Sequence, residues 1–353
     1  MQAPLLTLHR TTWEIRRVTG PKHAAATVSR RPFFILGSGR SGTSLLSRML
    51  DSHPAIAVPY ESHLYNRFHP LVGRNADLAN PSTRERLVAE ILRTEHVRQW
   101  TPQPSLQATL AAVSRSDFHG IVEALLGSWT VSRGKSRWGE KTPHHTLVWR
   151  TILEGFPDLK VIHLVRDGRD VAVSFRAAPF GPKHAYHLAL HWIRYLTAAE
   201  EASAALGERA FLQLRYEDLV AAPEYELRRV CEFLGEAFHP GMLTFYRDVT
   251  DYPTDPRNLE ALRRPLLSGN TQKWRQKLTA RELRIFEAIA GEKLERYGYP
   301  RSVTRPRMSA WEAISCRYVE NPSRRALAML NNRQGHRYAM EMLRLNVSLR
   351  WGL

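Results

Sequence analysis

Cysteine and long apolar runs are scarce in this chain of 353 residues, and each shortage argues against a class of protein. Cys231 and Cys316 are the only cysteines, and the sequence has no CxxC pair or Cys/His cluster. We therefore expect neither a disulfide framework nor a structural zinc site, and we expect a reducing, cytoplasmic environment. No stretch approaches the roughly 20 apolar residues that cross a bilayer, and the N-terminus lacks the apolar core of a signal peptide.

Acidic residues are also few, since 34 Asp and Glu face 51 Lys and Arg, giving a formal net charge of +17. Such a charge predicts an anionic ligand, polymer or surface as partner, but it says nothing about the fold. A module that binds nucleic acid or another anionic surface is therefore one alternative. No nucleic-acid-binding motif accompanies the charge, so we do not expect a nucleic-acid partner.

Changes in composition divide the chain into three parts. Residues 1–31 form an Arg-rich, acid-poor N-terminal arm, residues 32–300 form the main domain, and residues 301–353 form a basic helical C-terminal extension with ten Arg and no Lys. The preferred interpretation of the extension is a solvated face packed on the body. Peripheral contact with an anionic acceptor or lipid surface is the alternative.

Short apolar runs alternate with helical patterns along the main domain. We predict buried strands at Phe33–Leu36, Lys160–Val165 and Phe211–Arg215, and helices over 118–129, 189–206 and 224–234. A capping box over Ser82–Glu85 predicts another helix start, and Thr142 followed by Pro143 predicts a further one. This alternation indicates an α/β fold with a central parallel sheet flanked by helices.

A glycine-rich loop, Gly37-Ser38-Gly39-Arg40-Ser41-Gly42-Thr43-Ser44, lies between the first strand and a helix. Glycines let the backbone turn tightly and point successive N–H groups at an anion, next to a helix N-terminus. The spacing is almost that of a nucleotide-triphosphatase loop, but Thr43 replaces the lysine that reaches the β- and γ-phosphates. Arg40 supplies the cation instead, which favours a phosphosulfate over a magnesium triphosphate.

A second candidate anion site follows the strand Lys160–Val165. Arg166 stands at the carboxyl end of that strand, where open α/β sheets bind ligands, and Ser174 lies eight positions further on, in the next helix. An arginine and a hydroxyl so placed can hold a second phosphate. An ion pair between Arg166 and Asp167 at the protein surface is the plain alternative.

Together the two segments resemble the donor-binding motifs of the sulfotransferases that use 3′-phosphoadenosine-5′-phosphosulfate. Within that superfamily the chain is most similar to the tyrosylprotein sulfotransferases and their bacterial relatives, over roughly residues 32–299. The resemblance implies a P-loop-type three-layer fold. It also implies that the 3′-phosphate binds Arg166 and Ser174, and that the 5′-phosphosulfate binds Gly39, Arg40, Ser41, Gly42, Thr43 and Ser44.

The same resemblance assigns further donor contacts and the catalytic groups. Tyr216 matches a donor-nucleotide contact, and Lys273 with Trp274 matches a late loop that closes over the nucleotide. Glu61 matches the general base that takes the acceptor proton, and Lys141 matches the lysine that stabilises the bridging oxygen. Arg40 would share the charge on the sulfuryl oxygens, so no metal is required.

Two questions stay open at this stage. Other branches of the superfamily use a histidine as base, which makes His63, His53 and His144 alternatives to Glu61. A kinase or nucleotide triphosphatase is the rival activity, with Asp167 as the nearest candidate for holding magnesium. The acceptor is expected to carry a hydroxyl, on a sugar, lipid, natural product or tyrosine. Its binding loops are expected within residues 65–135.

Overall fold

The computed structural model describes residues 31–72, 77–178, 180–247, 262–266, 270–320 and 322–324, together with Met340 and Arg344. The predicted N-terminal arm therefore lies outside the described residues, apart from Arg31. So does most of the C-terminal extension beyond residue 324.

Five parallel strands form one central sheet in the order β2-β3-β1-β4-β5. The strands are β1 Phe33–Leu36, β2 Ile56–Ala57, β3 Arg137–Glu140, β4 Lys160–Val165 and β5 Phe211–Arg215. In the register of the sheet, Phe34 of β1 pairs with Glu140 of β3 and with Val161 of β4. The three strands expected from their apolar runs are confirmed with the bounds predicted.

Helices cover both faces of the sheet and connect its strands. They are α1 Thr43–Asp51, α2 His69–Val72, α3 Pro81–Arg93, α4 Leu106–Ala112, α5 Phe118–Ser132, α6 Trp149–Gly155, α7 Gly168–Ala177, α8 Ala185–Leu206, α9 Tyr216–Ala221, α10 Pro223–Leu234, α11 Trp274–Lys277, α12 Ala280–Arg296 and α13 Ala310–Ser315. Short 3₁₀ or π turns lie at Leu64–Phe68, Val97–Gln99, Pro143–Val148, Pro240–Arg247 and Cys316–Glu320.

Alternation along β1 separates two hydrophobic cores. Phe34 and Leu36 point into the core shared with α3, α5 and α6, whereas Phe33 and Ile35 point into the core shared with α1 and α10. Successive strand side chains point to opposite faces, so a fully apolar strand requires a helical layer on each side. The predicted three-layer α/β architecture with a parallel sheet is confirmed.

Two predicted helix caps are wrong. The helix expected to begin at the Ser82 capping box is capped instead by Asn80, whose side chain accepts from the backbone N–H groups of Ser82 and Thr83. Thr142 makes no side-chain cap, because its hydroxyl donates to Glu140, and the segment after it is a 3₁₀ turn rather than α-helix. The helix predicted over 189–206 begins four residues earlier, at Ala185.

No helix among the described residues is both long and apolar enough to cross a bilayer.

Candidate active site

Each strand of the sheet delivers one candidate site residue or loop at its carboxyl end. The loop with Arg40 follows β1, Lys141 follows β3, Arg166 follows β4 and Tyr216 follows β5, while Glu61 lies four residues beyond β2. Because the strands are parallel, these ends meet along one edge of the sheet, where α/β folds bind ligands. The candidate site residues, which are far apart in the sequence, therefore lie side by side along this edge in the same order as the strands.

The loop from Gly37 to Gly42 leads directly into the N-terminus of α1. Gly42 is its N-cap residue, with φ of 98°. Glycine is suited to that conformation, and it offers no side chain to cap the first N–H groups of the helix. A Cβ at this position would lie 2.3 Å from the ring of Tyr216. The start of the loop is fixed by Thr146, whose hydroxyl accepts a hydrogen bond from Gly37 N at 2.9 Å.

The two predicted anion pockets adjoin each other. Arg40 Nε donates to Ser174 Oγ at 2.9 Å, which joins the loop after β1 to helix α7. Arg166 Nη1 donates to the backbone oxygen of Arg40 at 3.2 Å. Thus Arg40, Arg166 and Ser174, which the sequence separates by up to 134 positions, lie in one contiguous polar cluster.

Tyr216 and the segment after residue 269 close one side of this cluster. The Arg166 guanidinium lies 4.3 Å from the centre of the Tyr216 ring, and it donates to the backbone oxygen of Asn270 at 2.6 Å. Asn270 Nδ2 in turn donates to the Tyr216 hydroxyl at 2.6 Å. Asp170 fixes the same segment by accepting from the backbone N–H groups of Gln272 and Trp274.

Lys273 and Trp274 differ in their surroundings. The Trp274 side chain is buried, with the Arg169 guanidinium 3.9 Å from the centre of its ring, while Lys273 is exposed. The buried Trp274 side chain therefore packs the segment after residue 269 against α7. Closure of this pair over a nucleotide stays a prediction.

Glu61 and Lys141 form the charged centre of the site. Lys141 Nζ donates to Glu61 Oε1 at 2.7 Å and to Ser44 Oγ at 3.2 Å, so it joins the carboxylate to the start of α1. The Lys141 side chain is fully buried. Burial by itself raises the pKa of Glu61, but Lys141 and His63 outweigh it and hold this pKa well below its usual value. Glu61 is therefore ionised at neutral pH.

His63 lies against the other oxygen of this carboxylate, 3.3 Å from Glu61 Oε2. Asn66 Nδ2 lies 3.2 Å from His63 Nδ1 and can only donate there, which assigns the ring proton to Nε2, facing Glu61. Burial lowers the pKa of His63 to about 4 and that of the neighbouring His96 to about 2. His63 is accordingly neutral and donates to Glu61.

The other two histidines considered as bases have different surroundings. The His144 ring centre lies 5.7 Å from that of His63, and burial lowers the pKa of His144. His53 is used structurally, since its Nδ1 accepts from Ala55 N and its Nε2 donates to the backbone oxygen of Ala237.

Glu140, which the sequence analysis does not single out, links several residues that support the site. Its carboxylate is buried and accepts from the hydroxyls of Ser62 and Thr142 at 2.7 and 2.6 Å. Its second oxygen lies 2.6 Å from His145 Nδ1, and His145 Nε2 accepts from Tyr65 N. This network ties the segment carrying Glu61 to the segment carrying Lys141. In the sequence, the three consecutive polar residues Glu140-Lys141-Thr142 are the signal that could have revealed this network.

Two observations bear on which ligand the cluster suits. The buried Arg166 Nε has no hydrogen-bond partner among the described residues, so a donor remains available for an anion there. Asp167, the candidate magnesium ligand, forms a two-pronged ion pair with the buried Arg169, at 3.0 and 2.7 Å. That ion pair occupies both oxygens of Asp167. The site therefore fits an anion held by arginine better than a magnesium triphosphate.

A model of the sulfotransferase family matches residues 32–240, more than half of the chain. The chain belongs to the sulfotransferase family. The resemblance inferred from the glycine-rich loop and the segment around Arg166 is thereby confirmed.

Curated relatives of this sulfotransferase include bacterial and animal proteins. An uncharacterized protein of Aquifex aeolicus is 27% identical over 273 residues, covering 74% of this chain and 32% of that protein. The omega-hydroxy-beta-dihydromenaquinone-9 sulfotransferase Stf3 of Mycobacterium bovis is 25% identical over 348 residues, covering 82% of this chain and 80% of that protein. Protein-tyrosine sulfotransferase A of Caenorhabditis elegans is 25% identical over 209 residues, covering 58% and 50%. The chain thus spans about a third of the first relative.

Solved sulfotransferase structures share the fold. The sulfotransferase domain of the Synechococcus PCC 7002 olefin synthase has a TM-score of 0.52 at 24% identity, covering 75% of this chain and 95% of that domain. The sulfotransferase domain from the curacin biosynthetic pathway has a TM-score of 0.51 at 22% identity, covering 75% and 98%.

Proposed function

We propose that this sulfotransferase transfers the sulfuryl group of 3′-phosphoadenosine-5′-phosphosulfate to a hydroxyl of an acceptor, releasing adenosine 3′,5′-bisphosphate. The observation that carries the proposal is the position of Lys141 Nζ, between the Glu61 carboxylate and the Ser44 hydroxyl at the start of α1. A carboxylate and a buried cation thus lie beside a helix N-terminus without a side-chain cap, which supports the roles of base and charge-stabilising donor. Those are the groups that in-line transfer between two oxygens needs.

The donor would lie along the carboxyl edge of the sheet. The backbone N–H groups and hydroxyls from Gly39 to Ser44, with Arg40, would hold the 5′-phosphosulfate. Arg166 and Ser174 would hold the 3′-phosphate, with the free Arg166 Nε as one of the donors. Tyr216, Lys273 and Trp274 would border the nucleotide.

In the proposed reaction, the acceptor oxygen attacks sulfur and forms a new S–O bond while the bond from sulfur to the bridging oxygen breaks. Glu61 takes the acceptor proton. Lys141 donates a hydrogen bond to the bridging oxygen as negative charge develops on it, and Arg40 stabilises the charge on the sulfuryl oxygens. The three cations Arg40, Lys141 and Arg166 supply the positive charge, so the proposal assigns no metal ion to the reaction.

The acceptor is assigned only by its reacting group, a hydroxyl. Relatives are named for a menaquinone derivative and for protein tyrosine, which are chemically unlike and share that hydroxyl. We assign the reaction to the cytoplasm, because both cysteines are buried and unpaired, as is usual in a reducing compartment.

Calorimetric titration with adenosine 3′,5′-bisphosphate tests the donor site without knowledge of the acceptor. We expect binding by the wild-type protein and a loss of at least about tenfold in affinity for Arg166→Ala, since charge-assisted hydrogen bonds contribute roughly 1.5–3 kcal/mol each. Arg150→Ala, which removes an exposed arginine paired with Glu201, is the matched control and should bind normally. Preference for ATP with magnesium over the bisphosphate would instead establish the kinase alternative.

Turnover tests the assignment of the catalytic groups, once an acceptor screen read by mass shift provides a substrate. Glu61→Gln, Lys141→Ala and Arg40→Ala should each lower kcat by at least about a hundredfold, as is typical when a general base or a charge-stabilising donor is removed. Near-normal turnover of Glu61→Gln would contradict its role as base.

A further inference from the structure

The first turns of the C-terminal extension form a two-faced helical segment, from α13 through the turn Cys316–Glu320. Its inward face carries Glu312, Cys316 and Glu320, spaced four residues apart and therefore on one side. Glu312 accepts two hydrogen bonds from Arg284, and Glu320 accepts two from Arg281. His184 Nε2 lies 3.1 Å from Glu320 Oε2, and Cys316 is fully buried between these groups.

The outward face of the same segment is apolar and uncovered among the described residues. Trp311 is 81% exposed, Ile314 48% and Tyr318 64%, and their spacing places them along one helical stripe. Val319 is also exposed, so the segment carries four large apolar side chains at the surface. Side chains of this size rarely stay in water as a contiguous stripe without a partner.

Exposed arginines accompany the stripe. The Arg317 guanidinium lies 5.3 Å from the centre of the Tyr318 ring, and Arg305 and Arg307 are exposed in the residues that precede α13. Both carboxylates of the segment point inward and are paired with Arg281 and Arg284. The segment therefore turns its acidic groups toward the body and leaves Trp311, Tyr318 and Arg317 exposed.

We propose that this outward face, made of Trp311, Ile314 and Tyr318 with Arg317, docks on the surface of an anionic lipid bilayer, assisted by the exposed Arg305 and Arg307 that precede α13. Helices that lie in the interface of a membrane combine aromatic and large aliphatic side chains with flanking arginine in this way. An anionic leaflet complements both the arginines and the apolar stripe, since its surface is negatively charged and its acyl layer accepts apolar side chains. The net charge of +17 acts in the same direction by attracting the protein to such a surface.

Vesicle sedimentation tests the proposal on the full-length protein. We expect binding to vesicles of phosphatidylglycerol and phosphatidylcholine, little binding to phosphatidylcholine alone, and weaker binding at high salt. The triple variant Arg305→Gln, Arg307→Gln, Arg317→Gln should bind at least about a hundredfold more weakly, since each arginine near a leaflet contributes roughly a factor of five. The triple variant Trp311→Ser, Ile314→Ser, Tyr318→Ser should lose at least about tenfold through its lost apolar burial.

The matched control is the double variant Val131→Ser, Tyr225→Ser, which removes two exposed apolar side chains from α5 and α10. It should bind vesicles like the wild type. Because every substituted residue is exposed, all variants should keep the wild-type melting temperature, which reports folding independently of vesicles. The proposal is overturned if the wild type ignores anionic vesicles, or if both triple variants bind as the wild type does. Reversible dimerisation abolished by the apolar triple variant, without vesicle binding, would assign the face to a second copy of the chain.

Discussion

At the scale of single residues, the proposed base Glu61 is held by two donors of different kinds. Lys141 is a buried cation on one oxygen, whereas His63 is a neutral donor on the other. Burial raises the pKa of Glu61, and these two partners outweigh it and lower that pKa. The base is thus ionised before an acceptor arrives, and its orientation is fixed from both sides.

Substitutions of His63 distinguish a residue that orients Glu61 from a residue that takes the acceptor proton itself. His63→Leu removes a donor to the ionised carboxylate, so the pKa of Glu61 rises and the acid limb of kcat/KM moves toward neutral pH. His63→Gln keeps an N–H donor and should retain both the wild-type profile and near-normal turnover. The comparison is made by measuring pH–rate profiles of the three proteins. Inactivity of His63→Gln together with normal turnover of Glu61→Gln would make His63 the base.

Sequence reasoning could identify these residues only in part. Arg40 and Arg166 were predictable from local patterns, because each follows an apolar strand at a loop or strand end. The contact between Glu61 and Lys141 was not, since 80 positions separate them and only the pairing of β2 with β3 brings them together. The link from Glu140 to Ser62 was missed for the same reason, because Glu140 ends β3 and Ser62 follows β2, 78 positions away in the sequence.

At the scale of elements, strands were easier to predict than helix ends. The strands β1, β4 and β5 are short and mostly apolar segments, so their bounds follow from composition. The pattern Asn80-Pro81-Ser82 contains two competing cap signals. Proline at the first helical position makes Asn80 the cap, and the apparent capping box at Ser82 lies inside the helix.

The junction of the glycine-rich loop with α1 gives a test at this scale. Gly42→Ala combines a φ of +98° with a Cβ 2.3 Å from Tyr216, whereas Gly134→Ala places a Cβ in open space at a φ of +68°, which is also positive. We expect Gly134→Ala to lower the free energy of unfolding by about 1–2 kcal/mol. Gly42→Ala should lower it by roughly 1–3 kcal/mol more, because the Tyr216 ring must move.

Urea unfolding gives the free energy of unfolding of both glycine variants, and titration with adenosine 3′,5′-bisphosphate gives their affinity for the ligand. Displacement of Tyr216 also disturbs Arg166, which stacks on it, so Gly42→Ala alone should weaken binding. Equal destabilisation of the two variants, with unchanged binding, would contradict the contact between the loop and Tyr216.

At the scale of the whole molecule, the first residues of the predicted C-terminal extension are hydrogen-bonded to the main domain. Glu287 of α12 accepts hydrogen bonds from the backbone N–H groups of Ser302 and Val303 and from Arg169. The first turn after the boundary is therefore held by the same carboxylate that binds helix α7. This attachment agrees with an extension that packs on the body, and the domain boundary at residue 300 stays a prediction.

Arg281 and Arg284 extend this attachment to the segment 310–320, and their removal should release it. Hydrogen bonds from Arg281 lower the pKa of Glu320 to about 2, and those from Arg284 lower the pKa of Glu312. Both pairs are therefore ionised at neutral pH, and their stabilisation is lost only as pH falls below the usual carboxyl range.

The double variant Arg281→Glu, Arg284→Glu should speed tryptic cleavage after Arg307 and Arg317 at least about fivefold, since exposed pairs contribute up to ~1 kcal/mol each and charge reversal adds repulsion. Arg228→Glu, which breaks an exposed pair on α10, is the control and should leave these cleavage rates unchanged. The cleavage rates are measured by mass spectrometry of the fragments. Equal rates in all three proteins would show that the segment stays attached without these ion pairs, through contacts such as the burial of Cys316 against Ile285.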